Sequence, residues 1–188
     1  MKNDIAPLTY KDRIHQELDK LGISLELIAQ KQLPFYAEAE ELTIAETDAD
    51  GREYQMTPAT AQAWAAMKQA AAQDGVVLEV VSAFRSIERQ IAIIQYKLDR
   101  YMPMEKILTL SAPPGYSEHH TGRAIDINTP GCMATEEEFQ DTEAFRWLST
   151  HANRFGFTLS YPRDNTLGFI YEPWHWCFQP SETNTQTE

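Results

Sequence analysis

The sequence contains little of what several protein classes require. Its two cysteines, Cys132 and Cys177, can form at most one disulfide, which excludes a small secreted fold held by several bridges and leaves reduced thiols as the expectation. No continuous apolar segment has the length of a membrane span or the form of a signal peptide. This predicts a cytoplasmic protein, or a periplasmic one if a leader has been removed.

Basic residues are also scarce. Lys and Arg total 16 against 28 Asp and Glu, which gives a formal net charge of -12 at pH 7. Such a charge repels phosphate backbones and anionic lipid surfaces, so neither nucleic acid nor a membrane is an expected partner. Solubility accounts for the acidic excess by itself, and the sequence does not indicate an oligomeric state.

The length and the hydrophobic pattern favour one α+β domain. A chain of 188 residues with 43% apolar residues can bury a core without covalent cross-links. Helical spacing of apolar residues and turn signals predict helices over 10–21, 57–75, 86–103 and 141–155. Apolar and β-branched runs predict strands over 77–84, 124–127, 157–161 and 168–178. Helices packed against a mostly antiparallel sheet form the simplest fold that uses these elements.

The chain divides into three regions on this interpretation. Residues 1–54 are expected to be an extension with a helix and a surface loop or short hairpin, and 55–180 the catalytic domain. The polar tail 181–188 is expected to be disordered.

Two of the histidines stand in settings that packing does not readily explain. His119 lies in SEHHTGRAID and His175 in EPWHW, and Asp126 adds a carboxylate on the predicted strand that follows His119. Catalytic zinc takes three protein ligands from His and carboxylate and keeps one position for water. Gly122 permits a turn through which His119 and Asp126 can converge. We therefore predict a Zn²⁺ site formed by His119, Asp126 and His175.

Three further residues are candidates for the chemistry around this site. Glu172 lies three residues before His175, and a bend at Pro173 can turn both side chains inward, so Glu172 is the predicted general base. Arg85 follows a predicted strand and can hold a substrate carboxylate or a developing oxyanion with its planar fork of donors. The ring of Trp174 can form a wall that excludes water.

Three ordered motifs resemble those of a known family. The pattern S-x-H-x-x-G-x-A-x-D is met by Ser117, His119, Gly122, Ala124 and Asp126, and the segment E-P-W-H occupies 172–175. The segment SAFRSIERQ at 82–90 is similar to S-G-Y-R-S-x-x-x-Q. Over about residues 55–178 the chain thus resembles the VanY-type D-alanyl-D-alanine carboxypeptidases, which belong to the LAS zinc peptidases (peptidase family M15).

The resemblance implies a fold, a reaction and a set of substrate contacts. The fold is the LAS or hedgehog-type zinc peptidase fold, and the reaction is removal of a C-terminal D-amino acid from a peptidoglycan-type peptide, by D,D- or L,D-cleavage. Arg85 acts in catalysis and Glu172 as the base, while Ser117, Ser86 and Gln90 bind substrate. The chain departs from the family after His175, where W-R-Y-V-G is replaced by Trp176-Cys177-Phe178-Gln179-Pro180.

Other functions remain open at this point. A D-Ala-D-Ala dipeptidase or an endolysin-like endopeptidase for L-Ala-D-Glu bonds can share the first zinc motif. A zinc-containing peptidoglycan-binding module without turnover is a further alternative, although Glu172 is present. A purely structural zinc site is disfavoured, because such sites are usually closed by four protein ligands.

Overall fold

The computed structural model describes residues 8–179 of the chain. The helices are α1 (Tyr10–Lys20), α2 (Leu25–Gln30), α3 (Pro58–Gln73), α4 (Ile87–Leu98), α5 (Met104–Leu110) and α6 (Glu143–His151). The strands are β1 (Thr43–Thr47), β2 (Glu53–Met56), β3 (Glu79–Ser82), β4 (Ala124–Asn128), β5 (Phe157–Leu159) and β6 (His175–Phe178). The predicted α+β fold is confirmed.

A four-stranded antiparallel sheet carries the centre of the molecule. Its strand order is β3-β4-β6-β5, and every pairing in it is antiparallel. All five residues of β4 are buried, as expected of a strand with neighbours on both edges and covered faces. In the register of the sheet Asp126 stands opposite His175 on one side and Ser82 on the other. The sheet therefore brings two distant parts of the chain to one position.

Two hydrophobic clusters pack around this sheet. The larger one joins α3 and α6 to the sheet through large side chains such as Trp64, Ile125 and Phe157. The second joins α1, α2, α4 and α5, with Ile94 and Ile107 fully buried in it. Tyr161 and Phe169 belong to the second cluster, which places that cluster beside the segment before β6.

Local signals account for the helix starts. The Thr57 hydroxyl accepts a hydrogen bond from the backbone N–H of Thr60, and Pro58 occupies the first position of α3, where no donor is lost. The Ser86 hydroxyl caps α4 by accepting from the N–H of Arg89 over 3.1 Å. Both starts agree with the prediction from the sequence.

Three element predictions were incomplete or wrong. Pro103 does not close the helix that begins at Ser86; α4 ends at Leu98, and Pro103 is the N-cap of α5, a helix that the sequence analysis did not predict. The short helix α2 was also not predicted. Residues 168–174 do not form a strand, because Pro173 lacks a ladder donor and the chain turns there before β6.

The predicted hairpin of residues 34–56 is present as β1 and β2. The region boundary placed between 54 and 55 falls inside β2, whose Tyr54 and Met56 pack in the same cluster as α3. The predicted disorder of residues 181–188 concerns a tail outside the described residues. Between residues 8 and 179, no helix has both the length and the apolarity to cross a membrane.

Candidate metal centre and catalytic cleft

The three predicted metal ligands come from three different elements of the fold. Asp126 lies in the centre of β4, and His175 begins the neighbouring strand β6. His119 lies in a 3-10 turn over Glu118–Thr121 that precedes β4. Gly122 ends this turn with a positive φ of 65°, a conformation that residues with a Cβ resist. The turn thereby returns the chain towards β4 with His119 beside Asp126.

The side chains of His119, Asp126 and His175 meet in the folded protein. One ligand atom from each lies within 4.8 Å of the others, and all three residues are buried. Nε2 of His119 is 3.3 Å from Oδ2 of Asp126, and Nδ1 of His175 is 3.1 Å from Oδ1 of the same carboxylate. The two imidazole rings stand nearly perpendicular, with centroids 4.9 Å apart.

Each imidazole is oriented by a hydrogen bond from its other nitrogen. Nδ1 of His119 donates to the carbonyl oxygen of Ala83 over 2.7 Å, because a carbonyl can only accept. Nε2 of His175 contacts a carboxylate oxygen of Glu118 over 2.9 Å and is likewise the donor when that carboxylate is ionised. The nitrogens that face Asp126 are then the ones that would present a lone pair to a metal ion, which would take the place of any proton held there.

This donor set fits a zinc ion. Zinc bonds of about 2.0–2.2 Å in tetrahedral geometry place neighbouring ligand atoms roughly 3.3–3.6 Å apart. The separations of 3.3 and 3.1 Å from His119 and His175 to Asp126 lie near that range. With three protein ligands facing a cavity, the arrangement has the composition of a catalytic site.

Charge coupling within the set is strong. Burial by itself would lower the pKa of His175, but contacts with Asp126 and Glu118 outweigh burial and raise this pKa to about 10. Burial opposes ionisation of Asp126, yet His119 and His175 hold its pKa well below the usual range. Burial lowers the pKa of His119, despite attraction from Asp126. An ionised carboxylate therefore lies between two imidazoles.

Glu172 faces the same centre. The chain turns between Glu172 and His175, where the backbone N–H of His175 donates to the carbonyl oxygen of Glu172 over 3.1 Å. Oε2 of Glu172 is 3.8 Å from Nδ1 of His175, so the turn directs both side chains to one side. Burial raises the pKa of Glu172 to about 7, while His175 opposes this rise. The carboxyl group is placed where a proton acceptor for water is needed.

Arg85 is held from two directions. Its Nη1 donates to Oε1 of Gln90 over 3.0 Å and its Nη2 to the Ser82 hydroxyl over 3.1 Å. Nη2 also lies 3.7 Å from Oδ2 of Asp126. Burial lowers the pKa of Arg85, and the nearby carboxylates of Asp126 and Glu172 oppose that effect. The guanidinium is a fixed cation beside the metal ligands.

A cavity of about 300 Å³ opens onto this cluster. Its lining includes the three metal-ligand candidates together with Arg85, Glu172, Ser117 and Trp174. The Trp174 ring is 6% exposed and forms part of the wall. Seven of the nine residues predicted from the sequence as site residues thus meet at one cavity.

The two remaining candidates, Ser86 and Gln90, lie behind the cavity wall. Ser86 caps α4, and Gln90 is fully buried, with its Nε2 donating to the Ala112 carbonyl oxygen over 2.6 Å and its Oε1 accepting from Arg85. In this arrangement Gln90 positions Arg85. Direct substrate contacts of Ser86 and Gln90 stay a prediction.

Sequence reasoning did not identify Glu118 or Lys97 as parts of the site. Glu118 directly precedes His119, and only its contact with His175 reveals its position. Lys97 lines the cavity from α4, two helical turns beyond Gln90. The helical spacing of seven residues was a signal that could have placed Lys97 near the face occupied by Gln90.

Cys177 shares β6 with His175 but is not part of the group of His119, Asp126 and His175. It is a buried free thiol two residues after His175, and burial raises its pKa to about 12, with Glu118 adding to the rise. His120 is fully buried, with Nδ1 bonded to the Arg85 carbonyl oxygen over 2.6 Å. His120 therefore supports the loop that carries His119.

Over most of its length the chain matches a family of known carboxypeptidases. A family model described as VanY, D-alanyl-D-alanine carboxypeptidase, matches residues 53–181. A D-alanyl-D-alanine carboxypeptidase of Enterococcus faecalis is 36% identical over 127 residues, which cover 62% of this chain and 46% of that protein. The chain spans less than half the length of the first curated relatives it matches.

Solved structures agree with the fold. The LdcB LD-carboxypeptidase superposes with a TM-score of 0.68 at 31% identity, covering 77% of this chain and 71% of that one. VanYB in complex with D-alanine-D-alanine gives a TM-score of 0.61 at 32% identity, covering 77% and 80%. A VanY D,D-pentapeptidase variant solved with Zn(II) gives 0.57 at 31% identity, covering 78% and 82%. The expected LAS-type fold is confirmed.

Proposed function

Because this chain belongs to the VanY family of D-alanyl-D-alanine carboxypeptidases, we propose that it is a zinc-dependent carboxypeptidase. It removes a C-terminal D-amino acid, D-Ala, from peptidoglycan-type peptides. The observation that carries this proposal is the buried set of His119, Asp126 and His175 at a cavity that Glu172 also lines. The VanY relative solved with Zn(II) supports zinc as the metal.

The residues of the cleft divide the chemistry among them. When bound by His119, Asp126 and His175, zinc supplies a Lewis acid for water and the scissile carbonyl. Glu172 accepts a proton from the attacking water and delivers it to the leaving amine, so one carboxyl group serves both proton transfers. The turn at Pro173 keeps this group near His175.

The cavity walls orient the peptide. Arg85 presents fixed N–H donors beside Asp126, where they can stabilise negative charge that develops on the carbonyl oxygen. Ser117, 4% exposed, adds a hydroxyl at the cavity surface. Trp174 covers one side and limits the entry of water, which strengthens electrostatic interactions inside the cleft.

The peptide is the proposed partner, and soluble peptidoglycan fragments are the proposed form of the substrate. The net charge of -12 disfavours binding to polyanions, which is consistent with short peptides. The cytoplasmic location expected from the sequence stays a prediction; cell fractionation with an antibody against the chain would test it.

Product analysis tests the reaction. Defined tetrapeptide, pentapeptide and dipeptide stems are incubated with the protein, with and without a chelator, and the products are identified by mass spectrometry. We expect loss of one C-terminal D-Ala, abolished by the chelator and restored by Zn²⁺. Cleavage of an internal bond alone would show an endopeptidase, release of two D-Ala from the free dipeptide a dipeptidase, and peptide binding without products a binding module.

A further inference from the structure

Lys97 brings a second positive charge to the cleft. It lies near the end of α4 and lines the cavity together with Ile93, one turn earlier. Its Nζ donates to the Ser111 hydroxyl oxygen over 2.6 Å, while that hydroxyl donates to the Leu110 carbonyl oxygen over 2.7 Å. The Ser111 oxygen thus acts as an acceptor for the ammonium, and the side chain of Lys97 is held in place.

The ammonium group has donors left over. Lysine carries three N–H donors, and Ser111 takes one of them. Within residues 8–179, the lysine ion pairs join Lys20 to Glu17 and Lys68 to Glu46, and none involves Lys97. A half-buried charge without an ionic partner costs free energy through lost hydration. Its burial lowers the pKa of Lys97, although Glu172 opposes the change.

The carboxylates of the cleft are engaged elsewhere. Asp126 contacts both His119 and His175, and Glu172 is directed at His175. Glu172 attracts the Lys97 ammonium without forming an ion pair with it, so the remaining N–H donors of Lys97 are available to a group that enters the cavity from outside.

Lys97 is connected to Arg85 only indirectly, through a chain of hydrogen bonds. A chain of contacts runs from Asp126 to Arg85 over 3.7 Å, from Arg85 to Gln90 over 3.0 Å, and from Gln90 to the Ala112 carbonyl oxygen over 2.6 Å. Ser111, which holds Lys97, precedes Ala112 in the chain. Arg85 thus contacts a metal-ligand candidate directly, whereas Lys97 lines the same cavity and is held by the segment that Gln90 binds.

We propose that Lys97, held by Ser111, binds a carboxylate of the peptide substrate. This inference rests on the peptidase function proposed above. Two carboxylates of a stem peptide have the required chemistry: the C-terminal α-carboxylate of the residue that departs, and the free carboxylate of an upstream D-isoglutamyl residue. Both offer oxygens to an ammonium with two unused donors.

Four peptides separate these sources. Nα,Nε-diacetyl-L-Lys-D-Ala-D-Ala carries a terminal carboxylate alone, and its C-terminal amide carries none. The longer peptide acetyl-L-Ala-D-isoglutamyl-(Nε-acetyl)-L-Lys-D-Ala-D-Ala adds the upstream carboxylate, which its D-isoglutaminyl analogue replaces by an amide. Binding of each to the zinc-loaded protein is measured by calorimetry in a Glu172→Gln background, so that turnover does not interfere.

The variants are Lys97→Met, which keeps the length of the side chain, and Lys97→Arg, which keeps the charge. Lys106, exposed on α5, provides a matched Lys106→Met control. We expect Lys97→Met to weaken the binding of one acid peptide by roughly 10- to 100-fold relative to the binding of its amide. This is the effect of losing a hydrogen bond to a charged group. Lys97→Arg should restore most of the affinity, and Lys106→Met should change nothing.

The pattern of losses decides the source and the proposal. A loss of affinity for the three peptides with a free C-terminal carboxylate, but not for the tripeptide amide, assigns Lys97 to the C-terminal carboxylate. A loss for the D-isoglutamyl peptide alone assigns it to the upstream carboxylate. Equal losses for all four peptides, accompanied by a lower melting temperature, would reduce Lys97 to a structural tether for Ser111. Unchanged affinities, or no binding of any of the four peptides, would also overturn the proposal.

Turnover distinguishes this proposal from the proposed function. In the protein with Glu172 intact, Lys97→Met should raise KM for the acid peptide by about the same factor as it raises the dissociation constant. The value of kcat should change by less than about threefold, because a group that only binds substrate does not act in the chemical step. If the protein with Lys97 and Glu172 intact cleaves none of the peptides, the peptidase function fails, while the binding measurements still decide the role of Lys97.

Discussion

Glu118 accepts a hydrogen bond from Nε2 of His175 over 2.9 Å, and this contact determines which nitrogen of the ring faces Asp126. An outer carboxylate that receives the second N–H of a metal-binding histidine holds the ring in one tautomer and raises its basicity. Glu118 also lies immediately before His119, so the same short turn supplies one ligand and orients another.

We expect Glu118→Ala to weaken zinc affinity by about 10- to 100-fold, the usual effect of losing such an outer partner. Glu118→Gln keeps an acceptor oxygen and should weaken the affinity less. Competition with a chelating dye measures both. Glu137→Ala, which removes an exposed carboxylate paired with Arg163, is the control. Unaltered zinc affinity in Glu118→Ala would mean that other contacts hold His175.

Substitution Glu172→Gln tests the proposed base. The amide keeps the shape of the side chain but cannot accept the proton of water, so kcat should fall by about 10²- to 10⁴-fold. The zinc content, measured by atomic absorption, should stay unchanged, because Glu172 is not one of the three ligands. Turnover equal to that of the protein with Glu172 would refute the assignment.

Gln90 acts through Arg85, whose guanidinium it holds in place by a hydrogen bond. Arg85→Lys loses the planar fork that contacts Gln90 and Ser82, and kcat/KM should fall by roughly 10²- to 10³-fold. Gln90→Leu should give a smaller kinetic loss, since Arg85 keeps its charge. It should also destabilise the protein by about 1–3 kcal/mol, because the buried Ala112 carbonyl loses its donor.

Steady-state kinetics and urea unfolding check the two expectations for this pair separately. A Gln90→Leu protein with intact stability and a kinetic loss as large as that of Arg85→Lys would instead favour direct contact between Gln90 and the substrate.

Alanine substitutions at two glycines with positive φ distinguish the cost of backbone strain from the cost of steric crowding. Gly122 and Gly51 have positive φ values of 65° and 81°, so alanine should cost about 1–2 kcal/mol at each. A Cβ at Gly122 would also lie 2.9 Å from Leu42 and 3.1 Å from the Thr57 nitrogen, whereas Gly51 has nothing within 4 Å. Urea unfolding should therefore show a loss for Gly122→Ala that exceeds that for Gly51→Ala by about 1–3 kcal/mol. Equal losses of stability in the two variants would show that the segment around Leu42 can move to accommodate the added Cβ.

Much of the fold follows from local patterns. Apolar residues at helical spacing and a capping Thr57 or Ser86 located α3 and α4, because capping and periodic burial depend on residues close together in the chain. The ends of the helices and strands were harder to predict from the sequence. Pro103 satisfies the sequence rule for ending a helix and for starting one, and packing of Ile107 in the second cluster selects the latter.

The candidate site shows the same division. His119, Asp126 and His175 were identified from residue type, spacing and family resemblance, because zinc restricts its ligands to few side chains. Gln90 and Arg85 were recognised as candidates, but their hydrogen bond to each other was not. Glu118 stands at a variable position of the zinc motif, and only the helical spacing from Gln90 marks Lys97 in the sequence.

The sequence by itself determined which chemical groups the candidate site contains: two imidazoles, the carboxylate of Asp126 and the carboxylate of Glu172, at spacings that indicate a zinc peptidase. Only the tertiary structure decided the orientation of these groups, through the antiparallel pairing of β4 with β6 that sets Asp126 opposite His175. The physical reason is the separation along the chain of the residues that must interact. Ligand chemistry is a property of individual side chains, whereas the nitrogen that faces the metal and the cation that lines the cleft depend on contacts between residues far apart in the chain.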